Sequence, residues 1–244
     1  MTQMNRKLHL IPVPIGSNLI SYSIPIETLK LSSILKTYIA ENARTARSFL
    51  KQIHSKYPLN EITIYTITNK TQDSEIEKWL SLENIGDIGL VSEAGCPAIA
   101  DPGSQVVRVA HNMGIQIKPY VGPSSIILGL MSSGLNGQNF AFRGYAPKKQ
   151  EERIKTIAHW EKESLTNNQT QILIETPYRN THLYDSLINT LNQNTKLCVA
   201  SSLNSMDEEI KTLNIKQWKA QEYPNIHKKP TIFLYMADNF FKKS

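Results

Sequence analysis

Val91-Ser92-Glu93-Ala94-Gly95-Cys96-Pro97-Ala98-Ile99-Ala100-Asp101-Pro102-Gly103 is the stretch from which the fold of this chain is read. An apolar run over 87–92 leads into it, and a helical pattern begins near Ser104. Two prolines and two glycines between Gly95 and Gly103 stiffen the backbone and leave its polar groups open to a partner. All its side chains are small apart from Glu93, Ile99 and Asp101, so an extended ligand can approach the main chain. A stiff loop between an apolar strand and a helix is a βα turn, and α/β sheets bind ligands at the carboxyl ends of their strands. Asp101 stands just ahead of the helix, where a carboxylate serves as a cap or meets a ligand.

Outward from this loop, short apolar runs alternate with segments of helical period. Strands are expected over 7–13, 37–40, 61–67, 87–92, 116–121, 140–145, 171–176, 197–202 and 231–236. Helices are expected over 43–54, 75–83, 105–113, 125–132, 151–162 and 178–191. This alternation predicts an α/β protein with parallel-rich sheets covered by helices. Ten of the eleven glycines lie between Gly86 and Gly144, so tight turns and close backbone approaches concentrate in the middle of the chain. A boundary near residue 120 divides the 244 residues into an N-terminal domain, 1–119, and a C-terminal domain, 120–244, each large enough for a core of its own.

Composition removes several functions. No apolar run nears the roughly 20 residues that cross a bilayer, and the polar start, with Pro12 and Pro14 breaking the first apolar run, is not signal-like. A cytoplasmic protein with no membrane partner is expected. Cys96 and Cys198 form no paired motif, and the six histidines never fall at metal-ligand spacing, so no metal is expected. A net charge of +6 favours phosphate-bearing partners. The doublets Lys148-Lys149, Lys228-Lys229 and Lys242-Lys243 are too short to be nucleic-acid tails.

Two more loops carry signals. Pro12-Val13-Pro14-Ile15-Gly16 closes the first strand. Gly122-Pro123-Ser124-Ser125 opens a helix that is apolar on nearly every face, which predicts its burial. Free N–H groups at that helix start suit a carboxylate or a ribose hydroxyl, with Ser124 and Ser125 facing the ligand. No dinucleotide fingerprint, no phosphate-binding P-loop and no nucleophile elbow occurs. The residues alone thus describe a two-domain α/β protein that binds a small polar ligand between stiff loops.

Taken in order, these loops resemble the S-adenosylmethionine-dependent tetrapyrrole methylase superfamily, and within it the branch of ribosomal RNA small subunit methyltransferase I. Beyond the loops quoted above, Glu41-Asn42-Ala43-Arg44-Thr45, Ser133-Gly134-Leu135, 142–149 and Glu175-Thr176-Pro177-Tyr178-Arg179 carry the resemblance. It implies two α/β domains with the cofactor, S-adenosylmethionine, in the cleft between them, and a homodimer. Motif positions imply cofactor contacts at Pro14, Ala94, Gly95, Cys96, Ile99, Ser124, Ser125, Glu175 and Leu203. The implied reaction passes a methyl group from a sulfonium to a nucleophile, with alignment supplying much of the rate.

A ribose hydroxyl acceptor must lose its proton, and Glu41, Glu93 and Asp101 are the candidate general bases. Arg44 is a candidate to hold a substrate phosphate or to orient one of these carboxylates. The branch usually reads Glu-Asp-Thr-Arg where this chain has Glu41-Asn42-Ala43-Arg44, and Arg-Glu-Leu-Thr-Lys where it has Ser201-Ser202-Leu203-Asn204-Ser205. The second exchange removes two cations, which is unexpected for an enzyme of a polyanion. The expected function is an S-adenosylmethionine-dependent methyltransferase acting on RNA, with 2′-O-methylation of 16S ribosomal RNA in a ribosomal subunit as the leading case. The alternatives are a tetrapyrrole or other small-molecule acceptor, or a cofactor-binding protein without catalysis.

Overall fold

The computed structural model describes residues 6–16, 19–82 and 86–238. The chain divides into two compact units, Met1–Ser124 and Ser125–Ser244. In the first, β1 (Lys7–Ile11), α1 (Ile26–Ile34), β2 (Thr37–Ala40), α2 (Ala43–Gln52) and β3 (Thr63–Thr66) come first along the chain. They are followed by α3 (Asp73–Ser81), β4 (Ile88–Val91), α4 (Gly103–Asn112) and β5 (Gln116–Pro119). The five strands form one sheet in the order β3-β2-β4-β1-β5, every pair parallel.

Alternation along the strands fills both faces of this sheet. Ile11, Tyr38 and Val91 join Leu29 of α1 and Phe49 and Leu50 of α2 on one side. Leu8, Ile39 and Leu90 join Ile76 and Leu80 of α3 and Val106 of α4 on the other. The chain leaves β1 toward β2 on one side of the sheet and leaves β4 toward β5 on the other. Adjacent strands whose exits diverge open a crevice at their carboxyl ends. The loops after β1 and β4 border it.

The second unit holds α5 (Ser125–Ser133), β6 (Phe140–Tyr145), α6 (Gln150–Asn167), β7 (Thr170–Ile174) and α7 (Asn180–Thr190). These precede β8 (Lys196–Ser201), β9 (Glu209–Asn214), α8 (Ile215–Lys219) and β10 (Thr231–Met236). Its sheet runs β6-β7-β10-β8-β9. Only β6 and β7 are parallel; the other three pairs are antiparallel. The parallel character expected of both sheets therefore holds for the first, whereas the second is mixed. Residues 202–208 between β8 and β9 are too few for a helical crossover, so that pair must be antiparallel.

Helix α5 departs from its expected burial: Gly129, Leu130 and Ser133 are covered, while Ile127 is 52% and Met131 75% exposed. A single stripe, with Gly129 at its closest approach, packs on the sheet, where a Cβ at Gly129 would lie 3.0 Å from Ile232 Cγ2. The opposite face stays open. The helix expected over 75–83 runs Asp73–Ser81; Glu83 and the Lys242-Lys243 doublet lie outside the described residues.

Candidate active site

Ala40, Val91 and Ile11 share one row across β2, β4 and β1. Neighbouring strands stand about 4.8 Å apart, so Glu41, Ser92 and Pro12 step off the sheet side by side. The loop after β4 is then tied to the loop after β1. Val13 N–H donates to Gly95 O at 2.9 Å, and Gly95 N–H returns to Val13 O at 3.1 Å. Gly95 makes this closure with φ +75°, and a Cβ there would meet Ile15 Cγ2 and Pro123 O, each at 3.3 Å.

The third loop locks onto the same junction. The Cys96 thiol donates to Pro123 O at 3.3 Å, and a Cβ on Gly122 would fall 2.1 Å from the Pro12 ring. Burial pushes the Cys96 thiol up, which makes it a packing group rather than a nucleophile. Pro14, Gly95, Cys96 and Ser124 are thereby gathered at one place, with Ala94 exposed beside them. Ile99 projects into solvent between Ala98 and Ala100, whose φ values of 67° and 61° are left-handed. Such backbone costs about 1–2 kcal/mol per non-glycine residue, so the surroundings must enforce it.

Asp101 supplies that enforcement. Ala98 N–H donates to its Oδ1 and Oδ2 at 2.9 and 3.0 Å, and Gly103 N–H to Oδ1 at 2.7 Å. The carboxylate thus braces the loop and holds the start of α4, as its sequence position suggested. Burial raises its pKa, against the lowering pull of the Gly103 and Ala98 donors.

Glu41 is the reverse case. Its Oε1 is shielded from solvent and has no hydrogen-bond partner among the described residues. Burial, reinforced by the charges of Asp101 and Glu93, pushes its carboxyl up to about 7. Glu41 and Asp101 line a cavity of about 540 Å³ with Asn69, Ser104 and Gln105. Glu93 is exposed at the mouth of the β4 loop. The three carboxylates suggested by the sequence therefore converge, and they differ in what they are free to do.

Arg44 lies in the first turn of α2, where its N–H donates to the capping Asn42 Oδ1 at 2.9 Å. Its side chain is exposed and pairs with no carboxylate among the described residues. The cavity residues Asn69, Ser104 and Gln105 were not legible in the sequence. Asn69 follows β3 and Gln105 lies in the first turn of α4, and position after a strand end was the sole signal either offered.

In the second unit, Ser125 opens α5, while Glu175 follows β7 with its side chain buried. Thr176 N–H donates to Glu175 Oε1 at 2.7 Å, and Arg179 Nη2 lies 3.0 Å from Oε2. Leu203 is buried just after β8. Because Ile174 and Ala200 both register with Ile232 of β10, Glu175 and Leu203 follow strand ends on one edge of the second sheet.

No family model matches the chain. Among curated relatives, ribosomal RNA small subunit methyltransferase I of Hydrogenobaculum sp. is 30% identical over 213 residues, 86% of each chain. The protein of the same description from Rickettsia prowazekii is 32% identical over 241 residues, 95% of this chain and 78% of its own. Among solved structures, the methyltransferase CobJ gives a TM-score of 0.60 at 12% identity, covering 95% of this chain and 93% of its own. Cobalt precorrin-4 methyltransferase CbiF gives 0.58 at 16% identity, covering 94% of both chains. These structures show the fold, that of the tetrapyrrole methyltransferases.

Proposed function

Since the chain belongs to the family of ribosomal RNA small subunit methyltransferase I, and is accordingly a methyltransferase, we propose that it uses S-adenosylmethionine to methylate a ribose 2′-hydroxyl of small-subunit ribosomal RNA. The observation that carries this reading is the crevice of the first sheet, where three loops close on Gly95 beside a carboxylate with an unsatisfied oxygen. Ligands of open α/β sheets bind at such a switch point. Glycine at position 95, with its positive φ and its Cβ position bounded by Ile15 and Pro123, lets the three loops close together. From the first unit, Pro14, Ala94, Gly95, Cys96, Ile99 and Ser124 would hold the cofactor; Ser125, Glu175 and Leu203 are the further contacts that the family resemblance implies. The negative charge of Glu41, Glu93 and Asp101 suits a cationic ligand.

When bound, S-adenosylmethionine supplies a methyl group already activated on a sulfonium, so no metal is called for. What remains for the chain is the acceptor's proton. Glu41 is the group that takes it, at the oxygen that no donor among the described residues satisfies. Asp101 is committed to three backbone contacts with Ala98 and Gly103 and keeps the loop in place. Glu93 adds charge at the mouth, and Arg44, exposed and with no carboxylate partner among the described residues, suits a substrate phosphate. The protein acts in the cytoplasm as a homodimer in this reading. Among the described residues no helix is long and apolar enough to cross a membrane.

The test pairs calorimetry with a labelled-methyl assay. Saturable binding of S-adenosylmethionine is expected, and Gly95→Trp should abolish it while the thermal melt stays cooperative. Label should pass to undermethylated small ribosomal subunits and not to porphyrin precursors. Transfer to the precursors alone would replace RNA by a tetrapyrrole as acceptor. No cofactor binding by the wild-type protein would end the reading.

A further inference from the structure

The exchange that leaves Ser201–Ser205 without cations raises the question of what else on the second unit meets a polyanion. Beside the strand edge that carries Glu175 and Leu203, the structure presents a different pairing. Tyr178 lies in the short 3-10 turn Pro177–Arg179 and is 72% exposed. The Lys228 ammonium stands 5.9 Å from the centroid of its ring. Neither side chain is placed there by burial of its own.

The backbone beneath them is built to hold this geometry. Lys228 adopts a left-handed φ of 58°, and its N–H donates to Pro177 O at 3.2 Å. Asn180, fully buried at the start of α7, donates from Nδ2 to Ile226 O at 3.0 Å and to Lys229 O at 2.6 Å. One buried amide therefore clamps both ends of the turn that carries Lys228. Ile226 is buried below it. A non-glycine residue in left-handed backbone, held by a buried polar clamp, marks a segment kept in place against local preference.

The charges on this surface are unequally committed. Arg179 pairs with the buried Glu175. Lys229 pairs with Asp207, which also accepts from Ser202 Oγ within the altered segment's own turn. Lys228 has no carboxylate within ion-pairing distance among the described residues, and His227 beside it is exposed. One cation next to one open aromatic face is thus free to bind. A membrane surface or an acidic peptide would use the cation but has no use for the exposed aromatic ring beside it. An unpaired nucleotide uses both: its base stacks on the ring and its phosphate meets the ammonium.

We propose that Tyr178 and Lys228 form a contact for a single-stranded segment of the RNA substrate, with Tyr178 as the stacking platform and Lys228 as the phosphate partner. The inference rests on RNA being the acceptor and adds the place where the second unit grips it. It also accounts for the tolerated loss of cations in Ser201–Ser205, since the binding charge sits on the neighbouring turn.

The test uses the full-length protein and undermethylated small ribosomal subunits. Tyr178→Ala is expected to raise KM for the subunit on the order of 10- to 100-fold with kcat little changed, the range set by loss of one base stack. Tyr178→Phe should retain most of the affinity. Lys228→Ala should raise KM and reduce the slope of log KM against log salt by roughly one phosphate contact, and Lys228→Arg should restore both. Binding of S-adenosylmethionine and the melting temperature should match the wild type in all four variants. Wild-type KM and salt slope in both alanine variants, with the wild-type protein methylating subunits, would overturn this inference alone. A wild-type protein that neither binds nor methylates RNA would overturn the acceptor reading and this inference with it.

Discussion

Glu41 and Asp101 share one cavity but meet opposite fates, and the difference is decided by partners rather than by residue type. Asp101 accepts from the N–H groups of Ala98 and Gly103, whereas Glu41 Oε1 accepts from nothing among the described residues. An unpaired buried oxygen is costly, and sites keep one where a ligand's proton will satisfy it. Glu93 and Asp101 stood out in the loop after β4, and Glu41 joined them through the family resemblance. Ranking them was beyond the sequence, because the donors to Asp101 depend on the left-handed turns at Ala98 and Ala100 that only the folded loop reveals. Glu41→Gln should lower kcat on the order of 10²- to 10⁴-fold, the usual worth of a general base. In the wild type, kcat/KM should rise with pH and level off above about 7, following ionisation of Glu41, and this rise should vanish in the variant. Stability should move the other way. The folded pKa lies above the unfolded value of about 4.3, so ionisation is disfavoured by folding and the penalty grows as pH rises from there through about 7. Glu41→Gln should therefore melt higher than the wild type at pH 8, with the gap closing toward pH 4. An unchanged pH–rate profile in Glu41→Gln would remove it as the base.

At the level of elements, the strands that border the crevice were legible as short, mostly apolar runs, unbroken in β4 and interrupted in β1 only by Lys7 and the buried His9. Helix α1 was not, since its covered positions include Thr28, Ser32 and Ser33, whose hydroxyls carry no apolar period. Ser32 Oγ–H is satisfied by Thr28 O at 2.7 Å within the helix, and the Tyr38 hydroxyl closes on Ser32 O from β2. Strand β9 escaped notice for a related reason: it is a half-covered edge strand whose Glu209 and Lys211 read as a polar connection. The Tyr38 ring that reaches α1 also explains Gly89 in the middle of β4. The two residues are register partners, and a Cβ at Gly89 would sit 2.5 Å from Tyr38 Cε1. Gly89→Ala should destabilise the protein by about 1–3 kcal/mol, as overpacking does, read as a lower urea midpoint with unchanged slope. A companion Tyr38→Leu substitution should relieve part of that loss. If Gly89→Ala alone proves neutral, the close packing of β2 on β4 is not what places Glu41 beside Ser92.

Across the whole molecule, the two units solve the problem of building a functional edge differently, and this limited what the sequence could say. In the first unit a parallel sheet sends every strand's carboxyl end to one side, so loops that follow strands gather there by rule. In the second, the antiparallel pairs bring the end of β8 and the start of β10 to the edge where β7 ends. Residues before a strand, such as Lys228, thereby join residues after one, such as Tyr178. The family resemblance points to Glu175 and Leu203, which follow strands, and has no means of pointing to a turn that precedes β10. Helix α5 shows the same limit: its apolar sequence predicts burial, yet Ile127 and Met131, four residues apart on one helical face, remain exposed. Exposed apolar residues on one helix face suit a contact surface, and in the homodimer proposed above a second copy of the chain would cover them. A two-fold interface repeats each contact, so one charge introduced there appears twice and opposes itself. Met131→Asp is therefore expected to halve the mass measured by light scattering at micromolar concentration while leaving the circular dichroism spectrum intact. A wild-type mass equal to one chain, or a dimer unaffected by the aspartate, would place the subunit contact elsewhere and leave the open face of α5 to another partner.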